Sequence, residues 1–493
     1  MNDSRRRKAF LPGQLLPACL LWFVLSGRTA GVFLKEQKLM EFYDKIHQQR
    51  LEAEAPLPAP LEKQDGRVFY PIGYGADPSG NRDSSDAIME ALKDAFQVQA
   101  QKEDLLPGVN DLGGAVIDFQ GGRFLVSNPI RFPPGAGNLL VKSGTLRASD
   151  KFPGDRHLIE LWSSQSQVSA NTEDGPLIGM KSQGDSIYYE DITFRDILFD
   201  SGRRGGGIFV IDSARIRITN CFFLHFTTQG IMVQRGHETF VSNSFLGQIS
   251  TVGGDSQEKY SSGTGIHLAG NDNAITDIAI FSAAIGVLLS GQANIITGVH
   301  CYNKATYWGG VGIMVKSSAS LTRISNCYLD YNSIVMEDPQ QVHVTDGLFL
   351  GDGNVVLKST NGRISGLNIV NNMFNGDPKN MVPIVELNGS FSSVDQVVID
   401  QNNVNGMKLK STVGKLSVEG NGTKLWVADF NPVLVFPNKI NHFQYSMLIL
   451  GLPSPGNFPV HAVTNVSDNK VVVESNTEFN GVVSVVVDQY NLG

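Results

Sequence analysis

Five Gly-Ile or Gly-Val pairs recur along one stretch of this 493-residue chain: Gly207-Ile208, Gly230-Ile231, Gly265-Ile266, Gly286-Val287 and Gly312-Ile313. They are spaced 23, 35, 21 and 26 residues apart, so three of the four intervals lie near one length. A second mark follows thirteen or fourteen residues into most rows: Asn220-Cys-Phe, Asn243-Ser-Phe, His300-Cys-Tyr and Asn326-Cys-Tyr. Short β-branched runs separated by Asn/Gly corners at a period of roughly 20–25 residues describe a β-solenoid. Each coil of such a fold lays its strands on those of the coil below, about 4.8 Å away. Like residues then stack in line: Asn on Asn at a corner, aromatics inside.

The composition agrees. Charged residues make up 18% of the chain and 52 residues are Gly, which suits an all-β chain with many corners. A net charge of −8 argues against a nucleic-acid partner. It also means that a polyanionic ligand needs a local gathering of basic residues. Cys19 lies in the N-terminal apolar run, leaving Cys221, Cys301 and Cys327. Cys301 and Cys327 fall at matching places in adjacent rows, which allows either a disulfide or a ladder of small core residues.

Taken in order, residues 1–30 read as a secretory leader. Arg5 to Lys8 is basic, Leu15 to Leu25 is apolar, and Ser26, Gly27, Thr29 and Ala30 are small. The apolar run is short for a membrane span, so no membrane association is expected once the leader is removed. Three sequons, at Asn388, Asn421 and Asn465, are the glycosylation sites that secretion would expose. Residues 31–64 hold an amphipathic helix and a Pro-rich linker, with Pro56, Pro58 and Pro60. Asp83 or Ser84 caps a helix that buries Ile88, Ala91, Leu92, Ala95 and Phe96, a lid for the open end of a solenoid. The solenoid is expected over 65–406, and ordinary strands with Asn/Gly turns form a small β appendage over 407–493.

The stretch from Gly75 to Ile88, with Gly113-Gly-Ala-Val and Asn128-Pro-Ile, resembles the entry to the pectate-lyase-like right-handed parallel β-helix superfamily. Thr251-Val-Gly-Gly-Asp255, Gly265-Ile-His-Leu-Ala-Gly-Asn-Asp272, Gly298-Val-His-Cys-Tyr-Asn-Lys-Ala-Thr and Asp429-Phe-Asn-Pro-Val-Leu are similar to the plant Quartet-three type of polygalacturonase. The resemblance runs from about residue 65 to the C-terminus. It implies a right-handed parallel β-helix, a pectin (polygalacturonate) substrate, hydrolysis of α-1,4-galacturonan links, and a secreted, monomeric cell-wall enzyme. It does not bring a catalytic set. The Asn-Thr-Asp, Asp-Asp, Gly-His-Gly and Arg-Ile-Lys motifs of mainstream polygalacturonases are absent, and the row starts read Arg-Arg-Gly-Gly206, Thr-Gln-Gly230 and Gly-Thr-Gly265.

The catalytic residues are therefore sought by geometry. Inverting hydrolysis needs an acid and a base about 6.5–9.5 Å apart, roughly two rungs of a solenoid. The loops before each Gly-Ile pair project to one side. They carry Asp200, Arg203 and Arg204; then His225; then the insert with Asp255, Glu258 and Lys259; then Lys304, Tyr307 and Trp308. Asp255 is the expected member of the acid/base pair, with Asp200 or Glu258 as the other and His225 as a proton donor or substrate ligand. Arg203, Arg204, Lys259 and Lys304 would neutralise galacturonate carboxylates, and Tyr307 and Trp308 would form a sugar platform. Asp200, Asp272 and Asp330 also suit turns or ion pairs, and His300 suits a corner ladder. No metal spacing, P-loop or dinucleotide fingerprint occurs, so no cofactor is expected. β-Elimination by an Arg base, or pectin binding without catalysis, are the competing readings.

Overall fold

A computed structural model of the chain describes residues 63–100 (backbone alone for 98–100), 114–135, 137–162, 187–248, 263–302, 310–451 and 458–491. The leader, the first amphipathic helix and the Pro-rich linker fall outside these residues. The fold is the expected right-handed parallel β-helix. Its described strands form one continuous sheet of 35 strands, wound so that strands pair in parallel with their counterparts one coil on, apart from an antiparallel pair at the entry, Gln64–Asp65 with Val68–Phe69. The Gly-Ile marks begin one face of each coil. Ile208, Ile231, Ile266, Val287, Ile313, Ile334, Val355 and Val385 lie in register along it, and each is fully or almost fully buried.

Close approach explains the glycines. A methyl group on Gly207, Gly230, Gly265 or Gly286 would stand 2.5, 2.8, 2.6 or 2.4 Å from the carbonyl oxygen of the glycine in the next coil. A core side chain closes the other side, such as the Phe223 ring at 2.5 Å from a methyl on Gly207. The coil turns so tightly onto this face that no side chain fits between consecutive rungs.

The third face of each coil is formed by Phe222–Leu224, Phe245–Gly247, Ala279–Phe281, His300–Tyr302, Tyr328–Asp330 and their counterparts. The corner before it holds a column of left-handed residues: Asp196, Asn220, Asn243, Asp277, Gly298, Asn326, Asp346 and Asn371. Asn and Asp tolerate that conformation because their side chains bond the local backbone, and glycine because it has no Cβ. This column corrects one alignment. In the coil of His300 the corner residue is Gly298, two positions earlier, and His300 lies on the third face, stacked flat on Tyr328 at 4.2 Å. Cys301 is therefore in register with Leu329 rather than with Cys327, and all three described cysteines are buried free thiols. The Asn ladders lie elsewhere: the Asn273 side chain donates to Asn294 Oδ1 and that of Asn372 to Asn402 Oδ1, each at 3.1 Å, with Asn273, Asn294 and Asn372 buried. Aromatic rings stack inside the third face, as in Phe199–Phe223 at 4.7 Å, but also on its outer side, where Phe222 and Phe245 are 4.4 Å apart and buried.

The helix Ser85–Ala100 lies against the first strands and buries Ile88, Ala91, Leu92 and Ala95. The Asp83 carboxylate accepts the Ser85 N–H at 3.1 Å and, across the cap, the Ser127 N–H at 3.1 Å. At the other end, antiparallel strands Val413–Asp429, His442–Ile449, His461–Ser467 and Lys470–Asp488 form a separate four-stranded sheet around Trp426, Phe430 and a set of valines. Val435 and Phe436 reach back from it into the solenoid core.

Candidate active site

Asp200 ends the long strand Tyr189–Asp200 and lies in register with Arg147 one coil below and Leu224 one coil above. The period-two pleat puts Phe199 inside and Asp200 outside. His225 follows Leu224 in a left-handed turn, φ +56°, which swings its ring back over the preceding coil. Its Nδ1 lies 2.8 Å from Asp200 Oδ1. The same oxygen accepts the Gly202 N–H at 3.0 Å, and Oδ2 faces Arg147 Nε at 3.6 Å. The left-handed turn alone is no sign of function, because such turns recur at the corners of neighbouring coils. The side-chain contact across the rung is what singles the pair out.

Burial works to raise the Asp200 carboxyl. The His225 hydrogen bond, the Gly202 N–H and the charges of His225 and Arg147 outweigh it, and hold the group below the usual carboxylate range. Asp200 is thus ionised at any pH near neutrality. By linkage, its contribution to folding is present above the unfolded carboxyl value and is lost as pH falls through the lower folded one. An ionised carboxylate of this kind holds an imidazole or accepts a proton; it does not serve as a general acid.

The corner after Asp200 carries Arg203 and Arg204, both exposed. Arg203 is itself left-handed, φ +62°, and its N–H donates to the His225 carbonyl at 2.9 Å, so the corner is tied to the catalytic candidate above it. Gly205 closes the corner at φ +67°, where a Cβ would stand 2.0 Å from the Arg156 carbonyl oxygen. The structure therefore brings together Asp200, His225, Arg203 and Arg204 from the expected set, and adds Arg147. Asp255, Glu258, Lys259, Lys304, Tyr307 and Trp308 lie outside the described residues.

Register still limits the second carboxylate. The column above Asp200 runs Leu224, Gly247, Phe281, Tyr302, Asp330. Asp330 is thus five rungs away, roughly 24 Å, too far to share a glycosidic bond with Asp200. The described residues in this column one and two rungs away are Arg147 and Leu125 below and Leu224 and Gly247 above, none of them acidic. The strand that leads to the insert, Phe245–Gly247, ends two rungs from Asp200.

Charged residues that sequence spacing did not single out line the first face. Glu337 takes Lys316 at 2.8 Å and Lys358 at 3.1 Å from the coils on either side. His267 Nε2 bonds Ser290 Oγ at 2.9 Å, and burial pushes its ring down to about 4. Among the coils of Lys316, Glu337 and Lys358, only the first opens on a Gly-Ile pair; the others open on Ser333-Ile334 and Asn354-Val355, so the repeat mark does not align the three.

No family model matches the chain. Polygalacturonase QRT3 of Arabidopsis thaliana is 51% identical over 442 residues, covering 88% of this chain and 87% of that protein. Among solved structures, a tailspike protein mutant of E. coli bacteriophage HK620 aligns with a TM-score of 0.49 and 12% identity, over 90% of this chain and 99% of that one. The A-module of the Azotobacter vinelandii mannuronan C-5 epimerase AlgE6 aligns at 0.43 and 11%, over 69% and 98%.

Proposed function

We propose that this chain, which belongs to the plant polygalacturonase family of the Quartet-three type, hydrolyses the α-1,4 links of cell-wall galacturonan at the Asp200–His225 centre. The observation that carries the assignment is the 2.8 Å contact between these two side chains across adjacent coils, beside the exposed Arg203–Arg204 corner. In this reading Asp200 is the ionised carboxylate of an inverting pair and keeps the His225 ring in place. The acid over the leaving oxygen comes from the insert, as Asp255 or Glu258. Arg203, Arg204, Lys259 and Lys304 neutralise substrate carboxylates, which a chain of net charge −8 must do locally. Tyr307 and Trp308 give the sugar ring a flat face.

Product masses on de-esterified pectin test the reaction. Hydrolysis releases saturated oligogalacturonides with new reducing ends. Unsaturated products would assign elimination instead, and inertness of the pure protein would leave a pectin-binding role.

The protein is proposed to be a secreted, monomeric glycoprotein. Asn388, Asn421 and Asn465 are all exposed, as an oligosaccharide acceptor requires. Enzymatic deglycosylation of protein secreted by plant cells should lower its mass, and an unchanged mass would remove the assignment.

A further inference from the structure

We propose that Arg131 and Arg156, with Trp162, form a separate subsite for one carboxylate-bearing sugar of the substrate. The subsite lies below the Arg203–Arg204 corner, with Arg156 one coil and Arg131 two coils away from it. The proposal rests on the galacturonan reading above and adds to it a place where the free acid form of the chain is recognised.

Arg131 lies in the strand Ile130–Phe132, in register with Glu160 of the next coil, and Arg156 precedes the strand that carries Glu160. Both guanidiniums converge on one oxygen of Glu160: Arg131 Nε at 3.0 Å and Arg156 Nη2 at 2.7 Å. Glu160 is 1% exposed, and its other oxygen accepts the His157 N–H at 3.3 Å. A buried carboxylate needs a partner. One guanidinium is enough to neutralise it; the second serves the cavity, where the exposed Asp155 is the other charged lining group. The pair is also not sealed in: the Arg131 and Arg156 side chains keep 42% and 28% of their exposure. The Arg131 guanidinium lies 4.6 Å over the Trp162 ring and that of Arg156 lies 5.9 Å from it, which fixes both forks against a flat aromatic.

Beside these groups is a cavity of about 410 Å³ lined by Asn128, Pro129, Arg131, Pro153, Asp155 and Arg156. That volume falls within the range of small-ligand clefts. Guanidinium forks held rigid by Glu160 and Trp162 match a carboxylate in geometry, and Asn128 and Asp155 offer partners for ring hydroxyls. The position fits an extended anionic chain. The Gly206 N–H, at the end of the Arg203–Arg204 corner, donates to the Arg156 carbonyl at 2.8 Å. A polymer engaged at Asp200 and His225 would cross this corner to reach the cavity.

The test is steady-state kinetics of Arg131→Gln on long galacturonan, once fully de-esterified and once methyl-esterified. This variant leaves Glu160 paired with Arg156, whereas Arg156→Gln removes a half-buried group and is the second choice. On the free acid, KM should rise about tenfold or more with kcat within about twofold, as for binding lost equally from the ground state and the transition state. The preference of the wild type for the free acid over the ester should shrink by a similar factor. Arg131→Lys should recover only part of the loss, because an ammonium lacks the fork. An unchanged KM and ester preference would overturn the subsite while leaving the hydrolase intact. A loss shared equally between the two polymers and accompanied by a lower melting temperature would overturn it too, by assigning Arg131 a structural role. Wild-type protein that cleaves neither polymer would instead overturn the reading on which the subsite rests.

Discussion

Gly286→Ala is expected to destabilise the protein by about 3 kcal/mol or more, at the upper end of what overpacking a core costs. The added methyl would stand 2.4 Å from the Gly312 carbonyl oxygen and 2.8 Å from the Cys301 sulfur. Neither neighbour can yield. The carbonyl belongs to the next rung of a parallel ladder, and the thiol is buried. Relief requires the two coils to separate, which lengthens the hydrogen bonds on this face. Thermal unfolding should show a melting temperature several degrees lower. Gly154→Ala is the matched control, because nothing lies within 4 Å of its added methyl and it should change little. Equal stability of the two variants would mean that the glycine column does not set the coil spacing.

Asp200→Asn is expected to cut turnover on de-esterified galacturonan by at least about a hundredfold, the usual scale for loss of a positioned acid or base group. An asparagine keeps an oxygen for the Gly202 N–H, so the corner and its fold should survive. It loses the negative charge that faces His225 and Arg147, and it presents His225 Nδ1 with an amide in place of a carboxylate. The loss should fall on kcat rather than on KM. A variant that retains half the wild-type turnover would place the chemistry elsewhere on the coil.

Much of the fold was legible because its marks have single physical causes. Gly-Ile recurs because the glycine permits contact between rungs and the following residue faces the core. The cap was legible from Asp83 and the helical spacing of Ile88, Leu92 and Ala95. The misplacement of His300 and Cys301 arose where two residue types serve the same structural purpose. Gly298 turns the corner that Asn turns in neighbouring coils. A row aligned on its Asn mark is then displaced by two residues, and the apparent cysteine pair disappears.

The site was legible as a set of residues rather than as contacts. Asp200, His225, Arg203 and Arg204 stand out before the Gly-Ile pairs, but the left-handed turn that aims His225 at Asp200 has no sequence mark of its own. Arg131, Arg156 and Glu160 were missed because their strands precede the first Gly-Ile pair, where no repeat fixes the register.

The most direct measurement is a double-substitution cycle on kcat with Asp200→Asn, His225→Asn and the two combined. Asparagine suits the left-handed position of residue 225. If the two side chains act as one unit across the rung, each single variant loses most of the activity and the double variant is little worse than the poorer single. Penalties that simply multiply, or a single variant that keeps wild-type turnover, would contradict the account.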